Sequence, residues 1–245
     1  PPPGRDAAAI PGPGPAASIL SDPVFSPLLD RHYRGTRVRA WTPGFRGPRR
    51  EIFDQRFKIV SMARLLPGLR VADVGADTAA FTGLIARAVG AEGVVYALAG
   101  SPSHASELQA LAQEYRVDNI RTVGSTGPED PFPTAGIDLA FLRGSEHALA
   151  HPPAMLDAIH RALIPYGTLI VLDDRPQSDS RAPWDRSPRR TDRDAVVEAV
   201  QQAGFQLVEE PRVLTDSYFL RFEKLSDAPN IEVGPIESTA PTQAP

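Results

Sequence analysis

The stretch VADVGADTAAFTG, Val71 to Gly83, ends an apolar run in Asp73 and Gly75, and a helical pattern begins a few residues later. This is the outline of a nucleotide-binding loop, in which glycine lets the backbone take unusual angles and approach a ligand closely. Asp77 and Ala79 stand where further glycines of such a loop would fall. A second polar group lies in RGSEHALAH, with Arg143, Glu146, His147 and His151. Four-residue spacing would put His147 and His151 on one face of a helix, as in a metal pair. Pro152-Pro153 opposes a continuous helix there, and Glu146 alone could complete the set, so the pair reads as solvent-facing and no metal is expected. His160 falls in a helical pattern and is assigned no role. Cysteine is absent, which excludes disulfides, thiolate metal sites and a cysteine nucleophile.

Regular elements must position these groups. Ile52, Phe53, Phe57, Val60, Ala63 and Leu65 recur at helical spacing up to Pro67-Gly68, a helix stop. Strands are predicted at 69–74, 93–99, 119–123, 137–142 and 167–173, and helices at 79–89, 102–116, 152–164 and 192–203. FQLVEEPRVL and SYFLRFEK close the pattern as a strand pair. Continuously apolar strands alternating with helices imply a parallel sheet covered on both faces. Two final strands without an intervening helix imply an antiparallel finish. There is no internal repeat.

From Glu51 to Lys224 the chain resembles the class I S-adenosylmethionine-dependent methyltransferases. PGLRVADVGADTAAFTGLIARAVG stands at the family's first glycine motif, commonly D-x-G-x-G-x-G, and GVVYALAGSP at the end of the second strand. GIDLAFLRGSEHAL resembles the fourth strand and its loop, and MLDAIHRALIPYGTLIVLDD the helix, turn and fifth strand. The resemblance implies an α/β Rossmann-like fold: a seven-stranded, mostly parallel sheet with helices on both faces and an antiparallel final strand. It also marks the cofactor positions as Asp73, Gly75, Asp77, Ala79, Ala99, Ser125 and Arg143. Several depart from the pattern. Asp77 adds a negative charge where the cofactor's own carboxylate would lie, a repulsion that grows as water is excluded. Its structural alternative is to cap the following helix. Ala79 adds a methyl group. Ala99 replaces the acid that would accept hydrogen bonds from the ribose, and Ser125 or Thr126 replaces an acid near the adenine, with Glu129 and Asp130 as substitutes if the loop folds back. Tyr166 replaces the first glycine of the Pro-Gly-Gly turn.

Composition adds the flanks. The chain has 245 residues, 42% hydrophobic and 23% charged, with net charge −4; it holds no apolar run long enough for a membrane helix, and its charge gives no support to nucleic-acid binding. Eight of the first 27 residues are proline, so 1 to about 30 read as extended or disordered, as does the Pro-rich 225–245 tail. Residues 31–50 carry seven arginines and no acid, with Arg37, Arg39, Trp41, Phe45 and Arg46 as a docking candidate; a solvated basic loop is the alternative. The stretch 173–194 includes Trp184 and reads first as a mobile polar loop, with a lid or second docking segment as the other readings. Three regions result: a 1–50 extension, a 51–224 methyltransferase-like domain and a 225–245 tail. The eroded loop points to a non-catalytic scaffold with no cofactor, docking on protein partners in a larger assembly. A membrane-extrinsic subunit of a bacterial respiratory or photosynthetic complex, in contact with a membrane surface, fits this picture. The sequence starts without methionine, either because an N-terminal segment has been removed, a cleaved export signal being one explanation, or because the given sequence begins inside the chain; an extracytoplasmic location is favoured over a cytoplasmic one. The alternative is an active S-adenosylmethionine-dependent methyltransferase with an atypical loop.

Overall fold

The computed structural model describes residues 49–76, 81–114, 117–124, 132–143, 152–175 and 192–226. In chain order these form α1 (Arg49–Asp54), α2 (Arg56–Met62), β1 (Arg70–Val74), α3 (Thr82–Val89), β2 (Val94–Ala99), α4 (Pro102–Glu114), β3 (Ile120–Gly124), β4 (Ile137–Arg143), α5 (Pro152–Ala162), β5 (Leu163–Asp174), α6 (Arg193–Gln202), β6 (Phe205–Glu209) and β7 (Ser217–Lys224). The seven strands form one sheet in the order β3-β2-β1-β4-β5-β7-β6. Pairs β1–β2, β1–β4, β2–β3 and β4–β5 are parallel; β7 runs antiparallel to β5 and to β6. The expected sheet is therefore the observed one.

Alternation along each strand feeds two cores. Val71, Leu139, Phe141, Ile170 and Phe219 pack with α1, α2 and α3 through Ile52, Ile59, Leu84 and Ile85. Ala72, Ala140, Leu142, Val171 and Leu220 pack on the opposite face with α5 and α6 through Leu156, Ile159, Val196 and Val200. Both sides of a central strand need apolar residues, so the strands read as unbroken apolar runs.

Several expected boundaries shift, each for a tertiary reason. The single helix expected from Glu51 is two, interrupted at Gln55. There Arg56, buried, donates to the Phe53 carbonyl (2.8 Å) while its guanidinium lies over the rings of Phe53 and Phe57. The second helix stops at Met62 and Arg64 turns left-handed (φ 54°), so Leu65 is buried from a loop rather than a helix. The helix expected to run to residue 164 ends at Ala162, because Leu163 pairs with Ile137 and the Ala162 carbonyl accepts the Gly136 N–H (2.9 Å). The last strand pair is shorter than its apolar pattern: β6 ends at Glu209.

β5 therefore begins early and carries an irregularity. Its register against β4 jumps from Leu163 opposite Ile137 to Thr168 opposite Leu139. Within the jump Tyr166 sits at φ 61° and is 65% exposed. A left-handed conformation costs a non-glycine residue roughly 1–2 kcal/mol, and so exposed a ring recovers little by burial. Replacing Tyr166 with glycine should stabilise the protein by about 1 kcal/mol, raising Tm by roughly 2–4 °C for a chain of this size; thermal unfolding checks this, and an unchanged or lower Tm contradicts it.

At the far end of the sheet Glu210 joins two chain segments. It accepts from Arg193 Nη2 (2.5 Å) and pairs with Arg175 (3.6 Å), the residues that flank 176–191. The hydrogen bond from Arg193, with the nearby positive charges of Arg193, Arg175 and Arg212, holds the Glu210 carboxyl below its ordinary value despite burial. A carboxylate with a depressed folded pKa contributes stability that is present above its unfolded value and lost as pH falls through the folded one. Glu210→Gln should therefore unfold with a smaller loss of stability between pH 6 and pH 3 than the parent, by up to about 1 kcal/mol for a partly exposed pair. Urea titrations at the two pH values measure it; equal losses in both proteins would refute the assignment.

Candidate functional site

Parallel sheets of this kind bind ligands at the carboxyl ends of their strands, where neighbouring connections diverge to opposite faces. That point lies between β1 and β4, and the residues marked from sequence meet there in part. Asp73, Gly75, Ala99 and Arg143 are described. Asp77, Ala79 and Ser125 lie outside the described residues, as do His147, His151, the docking candidates Arg37, Arg39, Trp41, Phe45 and Arg46, and Trp184.

The loop after β1 is built on Gly75. Its φ is +93°, and a Cβ added there would overlap the Arg143 carbonyl oxygen. Only glycine suits both the angle and the close approach. Arg143, the last residue of β4, also turns its side chain onto the loop, with Nη2 donating to the Gly75 carbonyl (3.3 Å). Backbone and side chain of one residue thus hold the loop against the adjacent strand.

Asp73 is 2% exposed and accepts a hydrogen bond from Thr82 Oγ1 at 2.6 Å; Thr82 is fully buried. The carboxylate therefore ties β1 to the first turn of α3. That helix begins at Thr82, three residues later than expected, and its N-cap is Phe81, without a side-chain cap hydrogen bond. This corrects the reading of Asp77 as the helix cap: with the helix starting later, the capping position moves to residue 81.

Where the family would place an acid at the end of β2, Ala99 is 0% exposed. It shares a small buried cluster with Ala76, Ala97 and Leu108. Ala76 follows Gly75 in the loop, and Leu108 belongs to α4, so loop, strand end and helix close on one another through small apolar side chains. The next residues serve α4: Ser101 Oγ accepts the His104 N–H (3.3 Å) ahead of Pro102, the helix's first residue. Glu92 is exposed before β2, at the opposite edge of the sheet. His160 packs edge-on against Phe205 (5.2 Å) and its carbonyl accepts from Lys224 Nζ (2.8 Å), a structural placement. Among the described residues, no three His, Asp or Glu side chains gather as metal ligands, and no helix is long and apolar enough to cross a membrane.

Two residues escaped the sequence reading. Thr82 could have been found, since a strand–turn–helix places the first helical turn beside the strand end. Ala76 carries no signal of its own; its role depends on the neighbours it meets.

Comparison with known proteins agrees with this geometry. Residues 72–171 match the family model described as a methyltransferase domain. No curated protein matches the sequence. Among solved structures, a SAM-dependent methyltransferase from Aquifex aeolicus is 19% identical, covering 78% of this chain and 98% of its own, with a TM-score of 0.66. The [4+2]-cyclase SpnF is 17% identical over 70% of this chain and 80% of its own, with a TM-score of 0.59. The YcgJ protein of Bacillus subtilis is 14% identical over 69% and 97%, with a TM-score of 0.54. At these identities the likeness shows a shared Rossmann-like methyltransferase fold, on which one neighbour is named for a cyclisation.

The Asp73–Thr82 hydrogen bond yields a direct test. Thr82→Val keeps shape and removes the hydroxyl, leaving a buried carboxylate short of a donor at a cost of about 1–3 kcal/mol, while Thr82→Ser should lose much less. Urea unfolding of the two variants checks this; equal stability for Val and Ser would show that the bond does not hold the strand to the helix.

Proposed function

We propose that this methyltransferase-fold protein does not use its strand-end site for methyl transfer and acts instead as a non-catalytic binding subunit within a larger protein assembly. The observation that carries this reading is the end of β2. Ala99, at the position of the family's ribose acid, is fully buried with Ala76, Ala97 and Leu108. An alanine side chain accepts no hydrogen bond, and two buried hydroxyls without a charged acceptor forfeit roughly 1–3 kcal/mol each. At about 1.4 kcal/mol per tenfold, that is a weakening of one to four powers of ten in cofactor affinity.

What the site retains has structural employment. Asp73 holds α3 through Thr82, and Gly75 accommodates the Arg143 carbonyl. Both residues would be kept by a protein that needs the sheet and not the cofactor. The partner contacts in this reading come from the flanks: the Pro-rich segments at both ends, the Arg and aromatic residues Arg37, Arg39, Trp41, Phe45 and Arg46, and Trp184 in the insertion. Arginine and aromatic residues are the types enriched at protein interfaces, and extended Pro-rich chain is a common recognition element. An extracytoplasmic, membrane-extrinsic position on such an assembly belongs to the same proposal.

A second reading, an active S-adenosylmethionine-dependent methyltransferase with an atypical loop, is favoured by the family match over 72–171 and by the left-handed turn at Gly75. It requires the ribose to be held by groups other than a side chain at 99. Calorimetric titration with S-adenosylmethionine and S-adenosylhomocysteine separates the two. The binding-subunit reading expects no heat of binding at millimolar ligand; micromolar affinity for either compound overturns it.

A further inference from the structure

The sheet ends at two lateral borders, β3 on one side and β6 on the other. A border strand exposes unpaired N–H and C=O groups, and proteins guard such strands with bulges, proline or charge. β6 is guarded in this way. Its register against β7 shifts between Leu207 and Glu209, Pro211 follows it, and Glu209 is held by Arg64 (2.9 Å) and Arg221 (3.2 Å). β3 has neither bulge nor proline. It pairs with β2 without a register shift, from Val95 opposite Ile120 to Ala99 opposite Gly124. Among the described residues β3 pairs on that side alone.

The direction of its free groups follows from one hydrogen bond. The Val95 N–H donates to the Asn119 carbonyl (2.9 Å), which turns residue 119 toward β2. Alternation then turns Arg121 and Val123 toward β2 as well, and directs the N–H and C=O of Ile120, Thr122 and Gly124 outward. The side chains divide between the two faces. Ile120 packs against the cluster that holds Leu108 of α4. Tyr96 and Val123 pack on the other face, where exposed Arg121 lies with its guanidinium carbon 5.9 Å from the centre of the Tyr96 ring. Among the described residues no carboxylate forms an ion pair with Arg121, Asp118 in the preceding turn included.

That cation selects the partner. Two copies of β3 paired antiparallel about Thr122 would set their Arg121 residues on a diagonal about 7–8 Å apart, on one face and unneutralised. A strand that brings a carboxylate to the same position meets an opposite charge backed by an aromatic ring. We propose that the outer border of β3 is a docking site for an extended, acidic segment of a partner protein, which adds a strand to the sheet and sets a carboxylate against Arg121. The border lies at the side of the sheet and not at its strand-end site. The inference therefore goes beyond the binding-subunit reading and stands whatever cofactor titration shows.

Amide hydrogen exchange and NMR titration of the full chain test it. The probe is a short peptide of alternating valine and glutamate, and the control is its valine–lysine counterpart. In the free protein the Thr122 N–H should exchange much faster than those of Arg121 and Val123, and the glutamate peptide should slow it. Arg121→Glu should weaken the glutamate peptide roughly tenfold and favour the lysine peptide, since one exposed ion pair gives way to a like-charge contact. Thr122→Pro removes only an outward N–H, which a border strand tolerates, and should weaken both peptides while circular dichroism stays that of the parent. If the proline variant unfolds, Arg121→Glu alone decides. No binding at millimolar glutamate peptide, equal affinity for the two peptides, or binding that Arg121→Glu leaves unchanged overturns the proposal. So does a Thr122 N–H already protected in the free protein: protection that grows with concentration assigns the border to a second copy, and protection that does not assigns it to this chain.

Discussion

Central strands apolar on both sides constrain everything else in this molecule. Val71 and Ala72, Leu139 and Ala140, Ile170 and Val171 face opposite cores in turn, so polar chemistry is pushed to the strand ends. The chain's one buried carboxylate on β1 illustrates the rule: Asp73 is tolerated at 2% exposure with a hydroxyl 2.6 Å away. A charge at such a position must be hydrogen-bonded, because desolvation without a partner costs far more than a typical hydrogen bond returns.

At the strand ends the same constraint decides between ligand and protein. A cofactor site needs open space, a flexible backbone and acceptors facing the ligand. Here Gly75 supplies the backbone, but Arg143 stands against it through its carbonyl and its guanidinium. Ala76 and Ala99 meet as apolar neighbours. A fold stabilised across two cores does not need the site to be occupied, and the fold's solved neighbours include a protein named as a methyltransferase and one named as a cyclase. Architecture and reaction are separable on this scaffold.

Long-range contacts organise the periphery. Arg221, buried in β7, donates to the Met62 carbonyl at the end of α2 and pairs with Glu209 on β6; burial lowers its pKa from the ordinary arginine value while Glu209 opposes the shift. Glu51 reaches across to the start of β7. Together these tie the two helices that precede β1 to the last strands of the sheet.

The sheet itself was legible from the residues. Unbroken apolar runs such as VVYALA and LIVLD, alternating with helical periodicity, specify strands buried on two faces, and the resemblance supplied a seven-stranded, mostly parallel sheet with an antiparallel finish, while the strand order came from the fold. The need for glycine at position 75 could also be read, since it follows from residue type in the turn at a strand end. Tyr166 was marked by its place in a turn that commonly holds glycine, whereas the helix break at Gln55 and the early start of β5 at Leu163 could not be read. They follow from pairings between segments distant in sequence, and local propensity carries no information about such pairings. The same reason separates the site's two halves. That residue 99 carries no carboxylate was determined by the sequence alone. The closure of Ala76 on Ala99, the capture of Asp73 by Thr82 and the anchoring of Glu51 on Thr215 and Asp216 were decided only when the chain folded, because each depends on distances that exist nowhere but in the packed structure.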